Sequence, residues 1–206
     1  MGDKTKLLSM YKRVADAHAT FKVDGLTQET ADWFEAEVAR LTDPLPSQRA
    51  ILATKGNISK SGPIRGGLMM FLYNPESKLT IPYYDRFPIV IPIEVYKKPY
   101  PGFLGLNFHY LDYYDRARLL DMLQVLGSKE AIKLNRINYD LLAAVRKYKS
   151  FKPCLKRYRM ANVMTNMALI PRAMWEIALF MPTEDFRKVK NKASIWRDSK
   201  RIYRKT

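Results

Sequence analysis

Apolar residues recur at helical spacing in the first 45 positions of the chain. Leu7, Tyr11 and Val14 predict a helix over residues 6–21. A second helix is predicted from Thr27, whose hydroxyl can cap its N-terminus, and the prolines that follow end it. The first part of the chain is therefore predicted to be helical.

The pattern changes at about residues 68–111, where short apolar runs alternate with turn residues, as in strands. The run LMMFLY fits a buried strand, although its period alone also fits a piece of helix, and as a strand it can return through residues 78–81 as a hairpin. In TIPYYDRFPIVIPIEVY, residues 80–96, the prolines predict a bent connection and then a strand in which Pro92 requires an edge position or a bulge. With the alternating run FLGLNFHY, these segments predict a small, strongly bent antiparallel sheet.

Helical signals return after the sheet. Asp112 or Asp115 can begin a leucine-rich helix, and Thr183 can cap a last segment. The predicted fold class is α+β, with N-terminal helices, a small central antiparallel β-sheet at about 68–111, and then C-terminal helices and a basic arm.

Length and composition fit one folded unit. The chain has 206 residues, of which 47% are hydrophobic, enough for a sizeable core. We predict a single α+β domain over residues 1–184 and a basic C-terminal extension over 185–206. The single cysteine excludes an intrachain disulfide, and the start MGDKTKLLSM lacks the apolar core of a secretory signal, so we expect synthesis in a cytoplasm.

Charge separates the last third of the chain from the rest. The formal net charge is +16, and residues 146–206 hold 17 Lys/Arg against four Asp/Glu. This excess implies an anionic partner, which is nucleic acid, an acidic protein surface or phospholipid head groups. Because no uncharged apolar run approaches 18 residues, we expect no membrane span.

Two basic segments carry the strongest functional signal, because Lys and Arg neutralise phosphates while aromatic rings stack on bases. Residues 146–159 hold seven Lys/Arg and no acid, and residues 187–205 hold nine against one Asp. The predicted partner or nucleic-acid contacts are the basic residues Arg146, Lys147, Lys149, Lys152, Lys156, Arg157, Arg159, Arg187, Lys188, Lys190, Lys192, Arg197, Lys200, Arg201, Arg204 and Lys205. The predicted interface aromatics are Tyr83, Tyr84, Trp196 and Tyr203. A solvated basic face is the alternative.

Catalytic and metal chemistry are not indicated. His18, His109 and Cys154 are too few and too scattered for a zinc site, and His109 is expected to be a structural hydrogen-bonding residue. Asp85 is interpreted as a turn residue in a local ion pair with Arg86. No nucleophile-elbow or phosphate-loop motif occurs. We therefore expect no enzyme activity, no metal, no cofactor and no small-molecule substrate.

The segments FLYNPESKLTIPYYDRFPIVIPIE and GFLGLNFHYLDYYDRARLLDML resemble a group of small basic proteins of large contractile-tailed bacteriophages. The resemblance covers roughly residues 64–125. It rests on aromatic, proline, glycine and polar positions, namely Tyr73, Pro75, Leu79, Pro82, Tyr83, Tyr84, Asp85, Phe87, Pro88, Gly102, Phe103, Leu104, Gly105, Asn107, His109 and Tyr110. Since such proteins are virion-associated, the resemblance implies a structural role in a phage particle. It carries no catalytic residues.

Two function hypotheses follow. The first is a non-enzymatic virion structural protein, a capsid, neck or baseplate component, that docks on other virion proteins through its aromatic surface and basic arm. It would be made in the host bacterial cytoplasm and end in the virion. The alternative is a nucleic-acid-binding protein of phage DNA replication, packaging or genome-end protection. An enzyme such as a nuclease would need clustered carboxylates, which the sequence does not indicate.

Overall fold

The computed structural model describes residues 58–59, 62–125, 148–180 and 183–205. The predicted N-terminal helices lie outside these ranges. The described strands are β1 Met69–Met70, β2 Tyr84–Asp85, β3 Ile89–Tyr96, β4 Gly102–Asn107, β5 Leu155–Arg159, β6 Ala168–Leu169 and β7 Phe186–Arg187. The described α-helices are α1 Tyr113–Val125, α2 Trp175–Phe180 and α3 Lys192–Lys205. Short 3-10 helices lie at Phe108–Tyr110, Lys149–Cys154, Met160–Asn162 and Arg172–Met174.

Five strands form one antiparallel sheet in the order β5-β4-β3-β1-β6, while β2 pairs with β7 in a separate two-stranded sheet. β1 joins distant parts of the chain, because Met69 lies opposite Val90 of β3 on one side and Leu169 of β6 on the other. The described elements therefore mix helices with a central antiparallel sheet. The predicted α+β class is confirmed.

Two expectations about the sheet are wrong. The run LMMFLY does not form a hairpin with residues 78–81, because residues 76–80 form turns and β1 pairs with β3 and β6 instead. Since β1 is completely buried, its backbone groups need partners on both sides. The sheet also extends beyond residue 111, because β5 and β6 come from residues 155–169. The basic composition of that segment concealed a strand at the edge of the sheet.

Pro92 introduces the predicted bulge. The register between β3 and β4 shifts between Pro92 and Glu94, since proline has no N–H to donate to the ladder. Its carbonyl accepts instead from the N–H of Gly66, at 2.9 Å. β3 lies between β4 and β1, so the bulge, and not an edge position, accommodates the proline.

The sheet buries apolar side chains on both faces. The larger cluster joins the sheet to all three helices, and Trp175 of α2 and Ile195 of α3 are fully buried in it. The other cluster is mainly aromatic. There the rings of Phe103 and Tyr158 stack at 5.0 Å, and Phe71 meets both rings edge-on. Burial on both faces explains why β3 begins as a continuous apolar run and not as an alternating one.

The segment after residue 184, predicted as a basic extension, forms β7 and α3. Asn191 caps α3, because its Oδ1 accepts from the N–H of Ala193 at 2.8 Å. Thr183 therefore does not cap a helix, and its hydroxyl lies 3.0 Å from Nε2 of His109. Ile195 and Trp196 pack into the core. The domain boundary near residue 184 stays a prediction.

A buried polar network connects the sheet to the C-terminal segment. Asp85 accepts hydrogen bonds from the N–H of Phe87, from Nδ2 of Asn107 and from Nδ1 of His109, the last at 2.7 Å. Asp85 was expected in a turn, but it is the last residue of β2, and only its side chain reaches into the bend that follows, through the hydrogen bond from Phe87. His109 is a buried hydrogen-bonding residue, as expected. The side-chain partner of Asp85 is His109 and not Arg86, because the chain turns the Asp85 side chain into the core and leaves Arg86 exposed.

The ion pair between Arg116 and Glu184 lies next to this network, with both side chains completely buried and 2.5 Å between their charged atoms. Arg116 also donates to the carbonyls of Leu111 and Leu179. On the other side, Lys192 reaches Glu184 at 3.2 Å. Glu184 therefore has positive partners from both α1 and α3, and it connects these two helices.

Replacing Glu184 with Gln is expected to lower the free energy of unfolding by about 3–5 kcal/mol, because Arg116 stays buried without its counter-charge. The adjacent Asp185→Asn is the matched control. Its pair with Arg187 is exposed to solvent and should contribute at most about 1 kcal/mol. Denaturant unfolding followed by tryptophan fluorescence measures both variants. Equal losses would contradict the role given to the buried pair.

The same ion pair predicts sensitivity to acid. Burial opposes ionisation of Glu184, but Arg116, His109 and Lys192 outweigh burial and lower its pKa from 4.5 to about 2. A depressed carboxyl pKa stabilises the fold above the unfolded-state pKa, and this stabilisation is lost as the pH falls from about 4.5 towards 2. The expected loss is about 3 kcal/mol, at 1.36 kcal/mol per pKa unit.

Urea unfolding of the wild type and of Glu184→Gln between about pH 5 and 2.5 tests this dependence. The variant starts less stable and should lose less stability across the interval, because its side chain cannot take up a proton. Two parallel curves would show that other carboxylates cause the acid sensitivity.

Candidate nucleic-acid interface

β5 is an edge strand of the sheet, and it presents two arginines that lie over tyrosine rings. The guanidinium of Arg157 lies 5.8 Å from the ring centroid of Tyr96, and that of Arg159 lies 4.5 Å from the centroid of Tyr100. Cation–π contacts of this kind hold an arginine in place while its charge stays available. The charge of Arg159 is partly neutralised, because it forms an ion pair with the exposed Glu76.

The turn between β3 and β4 adds charge beside these arginines. Lys97 and Lys98 are exposed, and Tyr100 is 62% exposed. Together with Tyr96, Arg157 and Arg159 these residues form what we call the edge surface. The turn at residues 97–101 is predicted by its sequence, but Lys97, Lys98 and Tyr100 were not among the predicted contacts. The stretch KKPYP was the available signal, because two lysines and an aromatic between prolines suit an exposed turn.

The edge surface is held firmly by the sheet. The N–H of Met160 donates to the carbonyl of Pro101 at 2.9 Å. The hydroxyl of Tyr96 lies within 3.4 Å of the carbonyls of Phe103 and Tyr158. Paired strands therefore flank the turn on both sides, and the charged groups are presented on an ordered backbone.

A second group of basic residues lies on α3 and on the 3-10 helix Lys149–Cys154, which pack against each other. We call this group the helix surface, and its exposed members are Lys149, Lys152, Arg197 and Arg201, together with Lys190 just before α3. Arg201 also pairs with Asp198 on the same helix, at 3.1 Å. The 3-10 helix runs directly into β5, so one continuous segment links the helix surface to the edge surface.

Other predicted contact residues bind groups within the protein. Arg187 pairs with Asp185 at 3.1 Å, and Lys200 pairs with the buried Asp112 at 2.6 Å. Lys188 donates to two backbone carbonyls of the loop before β2. Lys192 belongs to the Glu184 cluster. These charges stabilise the fold and are less available to a partner.

Two predicted contact residues are buried to different degrees. Lys156 is partly buried, with its ammonium 3.8 Å from the ring centroid of Tyr110, and burial lowers its pKa to about 8. Trp196 is only 2% exposed, and its Nε1–H donates to the carbonyl of His109. Trp196 is therefore not a surface aromatic. It packs inward because α3 is amphipathic and turns this side towards the core.

The remaining predicted residues divide as follows. Tyr83 is half-buried against Tyr110 and Phe186, and Tyr84 is half-buried in β2. Residues 146 and 147 lie outside the described ranges, so the predicted contacts Arg146 and Lys147 are not located. For Arg204, Lys205 and Tyr203 the structure describes only the backbone of α3.

The acidic residues near the helix surface have structural roles. Asp112 caps α1, because its Oδ1 accepts from the N–H of Asp115 at 2.9 Å, and the predicted helix start is confirmed there. Burial and the neighbouring Asp112 raise the pKa of Asp115 to about 6. Cys154 is buried, which raises its thiol pKa to about 12, so it is a packing residue.

Within the ranges that the structure describes, no three His, Cys, Asp or Glu residues are grouped as metal ligands. None of the described helices is long and apolar enough to span a bilayer.

Comparison with protein families gives a match over most of the chain. The family described as Phage T4 terminal DNA protecting protein matches residues 47–205. The chain belongs to this family. It is thus a bacteriophage protein, as the resemblance implied. The match includes the whole edge surface and the whole helix surface. Comparisons with curated proteins and with solved structures gave no match.

Two exposed arginines on strands of this protein, Arg157 and Arg187, differ in whether a carboxylate neutralises them, and this difference can be tested. No carboxylate of a described residue lies within ion-pair distance of Arg157, whereas Arg187 is paired with Asp185. We expect Arg157→Gln to weaken duplex binding and to reduce the slope of log affinity against log salt by about 0.9, the value for one lost phosphate contact. Arg187→Gln, the matched control, should change the slope by clearly less.

Fluorescence anisotropy with a labelled duplex between about 50 and 200 mM salt measures both slopes, in the range where phosphate contacts lose orders of magnitude in affinity. Equal slopes for the two variants and the wild type would mean that Arg157 contacts no phosphate.

Proposed function

We propose that the protein binds the ends of linear double-stranded DNA and covers them, so that exonucleases cannot begin to degrade the DNA from there. The observation that carries the proposal is the family match over the residues that form both basic surfaces. Its second support is the placement of Lys97, Lys98 and Arg157. These three are exposed, and no described carboxylate neutralises them by an ion pair.

Protection in this proposal is steric and needs no turnover. A bound protein that contacts the phosphates nearest the end blocks access for as long as it stays bound. The acidic residues on which acid–base chemistry would depend are used in the fold. Asp85 and His109 are 3% and 0% exposed and hydrogen bond to each other, and Asp112 caps a helix. We therefore propose a binding protein and not an enzyme.

The two basic surfaces suit a duplex better than a small anion. Phosphates follow one another along DNA, and an extended series of lysines and arginines can neutralise several of them at once. The helix surface and the edge surface belong to consecutive elements, the 3-10 helix Lys149–Cys154 and β5. Their combined contacts would fix the protein on the backbone without selecting a base sequence.

Localisation follows from the same proposal. The protein would be made in the host cytoplasm, bind the ends of the phage genome, and remain with that DNA in the virion. Docking on capsid, neck or baseplate proteins stays a prediction from the resemblance.

An exonuclease assay tests the proposed function. Linear duplex DNA incubated with the protein should survive a double-strand exonuclease, while the same DNA should still be cut internally by an endonuclease at the same protein concentration. The triple variant Lys97→Gln, Lys98→Gln and Arg157→Gln should lose most of the protection, and Arg187→Gln should retain it. Equal protection against both nucleases would indicate general coating of DNA and contradict end protection.

Point variants are preferable here to removal of the C-terminal segment. A chain that ends at Thr183 lacks Glu184 and the buried Trp196, so its core is incomplete. Loss of DNA binding in that chain would not separate lost charge from lost fold.

A further inference from the structure

We propose that Tyr100 recognises the DNA end by stacking on the face of the terminal base pair. This inference rests on the proposed function and names the residue by which the edge surface distinguishes an end from the interior of a duplex.

A protein that protects ends must detect something that the interior of a duplex lacks. Phosphate contacts are the same along the whole backbone, so the lysines and arginines of the two basic surfaces cannot make the distinction. A terminal base pair differs from all others because one of its flat faces is not covered by a neighbour. An exposed aromatic ring next to phosphate-binding groups is the protein feature that fits such a face.

Among the residues that the structure describes, the large hydrophobic side chains that are well exposed include two aromatics, Tyr100 at 62% and Tyr148 at 52%. Tyr148 has an edge contact with Phe151, 6.3 Å between ring centroids, and lies just before the helix surface. Tyr100 lies at the tip of the turn between β3 and β4, where the sheet ends. Of the two rings, that of Tyr100 is the more exposed and the one that belongs to the edge surface.

The surroundings of Tyr100 favour stacking. Pro99 and Pro101 restrict the backbone on both sides of it, so little conformational entropy remains to be lost on binding. Arg159 covers the ring at 4.5 Å and supports it from one side. Lys98 lies two residues earlier in the same turn and is exposed, so a cation that could bind a phosphate belongs to the same turn as the ring. A stacked base pair and its own phosphate would thus be bound together.

The test compares linear and circular DNA of the same sequence as competitors. Protein bound to a short labelled blunt duplex is displaced by a closed circular DNA or by the same circle cut once, at equal base-pair concentrations. The preference for ends is the ratio of the two competitor affinities. The wild type, Tyr100→Ala, Tyr100→Phe and, as a matched exposed aromatic, Tyr148→Ala are compared as full-length chains.

We expect Tyr100→Ala to lower the affinity for the short blunt duplex by roughly 5- to 150-fold, the range for loss of one aromatic–base stack. Its affinity for the circle should fall by clearly less, because a circle offers no end to stack on and only the contact of the ring with Arg159 is lost there. Denaturant unfolding shows that the variant is folded. Tyr100→Phe, which keeps the ring, and Tyr148→Ala should both retain the preference for cut DNA.

Three results would overturn the inference. If Tyr100→Ala retains the wild-type preference, Tyr100 does not read the end. If Tyr100→Ala lowers the affinity for linear and for circular DNA by the same factor, the ring is a general DNA contact. If the wild type itself shows no preference for cut DNA, the proposed function fails, and the role of Tyr100 fails with it. Because the last result appears in the wild type, it is distinguished from the first two.

Discussion

The buried charge of Arg116 is the constraint on which the described structure depends. A guanidinium that is completely buried requires both hydrogen-bond acceptors and a counter-charge. Arg116 finds acceptors at the carbonyls of Leu111 and Leu179 and its counter-charge at Glu184. These partners come from the residue before Asp112, the cap of α1, from α2 and from the segment before β7. The helices α1 and α2 and the C-terminal segment must therefore assemble together for this one charge to be satisfied.

The neighbouring network extends the same requirement into the sheet. Asp85 accepts three hydrogen bonds, and through His109 it reaches the hydroxyl of Thr183. Buried polar groups contribute little net free energy when they are satisfied, but they cost much when one partner is missing. The network therefore acts mainly on specificity, because alternative packings of the C-terminal segment would leave these groups unsatisfied.

The same assembly determines which of the many basic residues can reach a partner. Lys192 and Lys200 are held against Glu184 and Asp112, whereas Arg157 and the lysines of the turn between β3 and β4 face solvent. A high net charge by itself attracts any polyanion without orientation. On the edge surface, tyrosine rings and paired strands give the arginines fixed positions, which is the difference between a general attraction and a shaped binding surface.

The sequence by itself determined the features that short-range chemistry controls. The change from helical to alternating periodicity predicted the α+β class, a carboxylate at Asp112 or Asp115 predicted the start of a helix, and Pro92 predicted either an edge position or a bulge. The position of β3 inside the sheet then decided for the bulge. Only the tertiary structure decided that β5 joins the sheet, that Trp196 turns inward and that Tyr100 stays exposed beside Arg159. Whether a basic or aromatic side chain faces water depends on elements far away in the chain, and local periodicity holds no information about them.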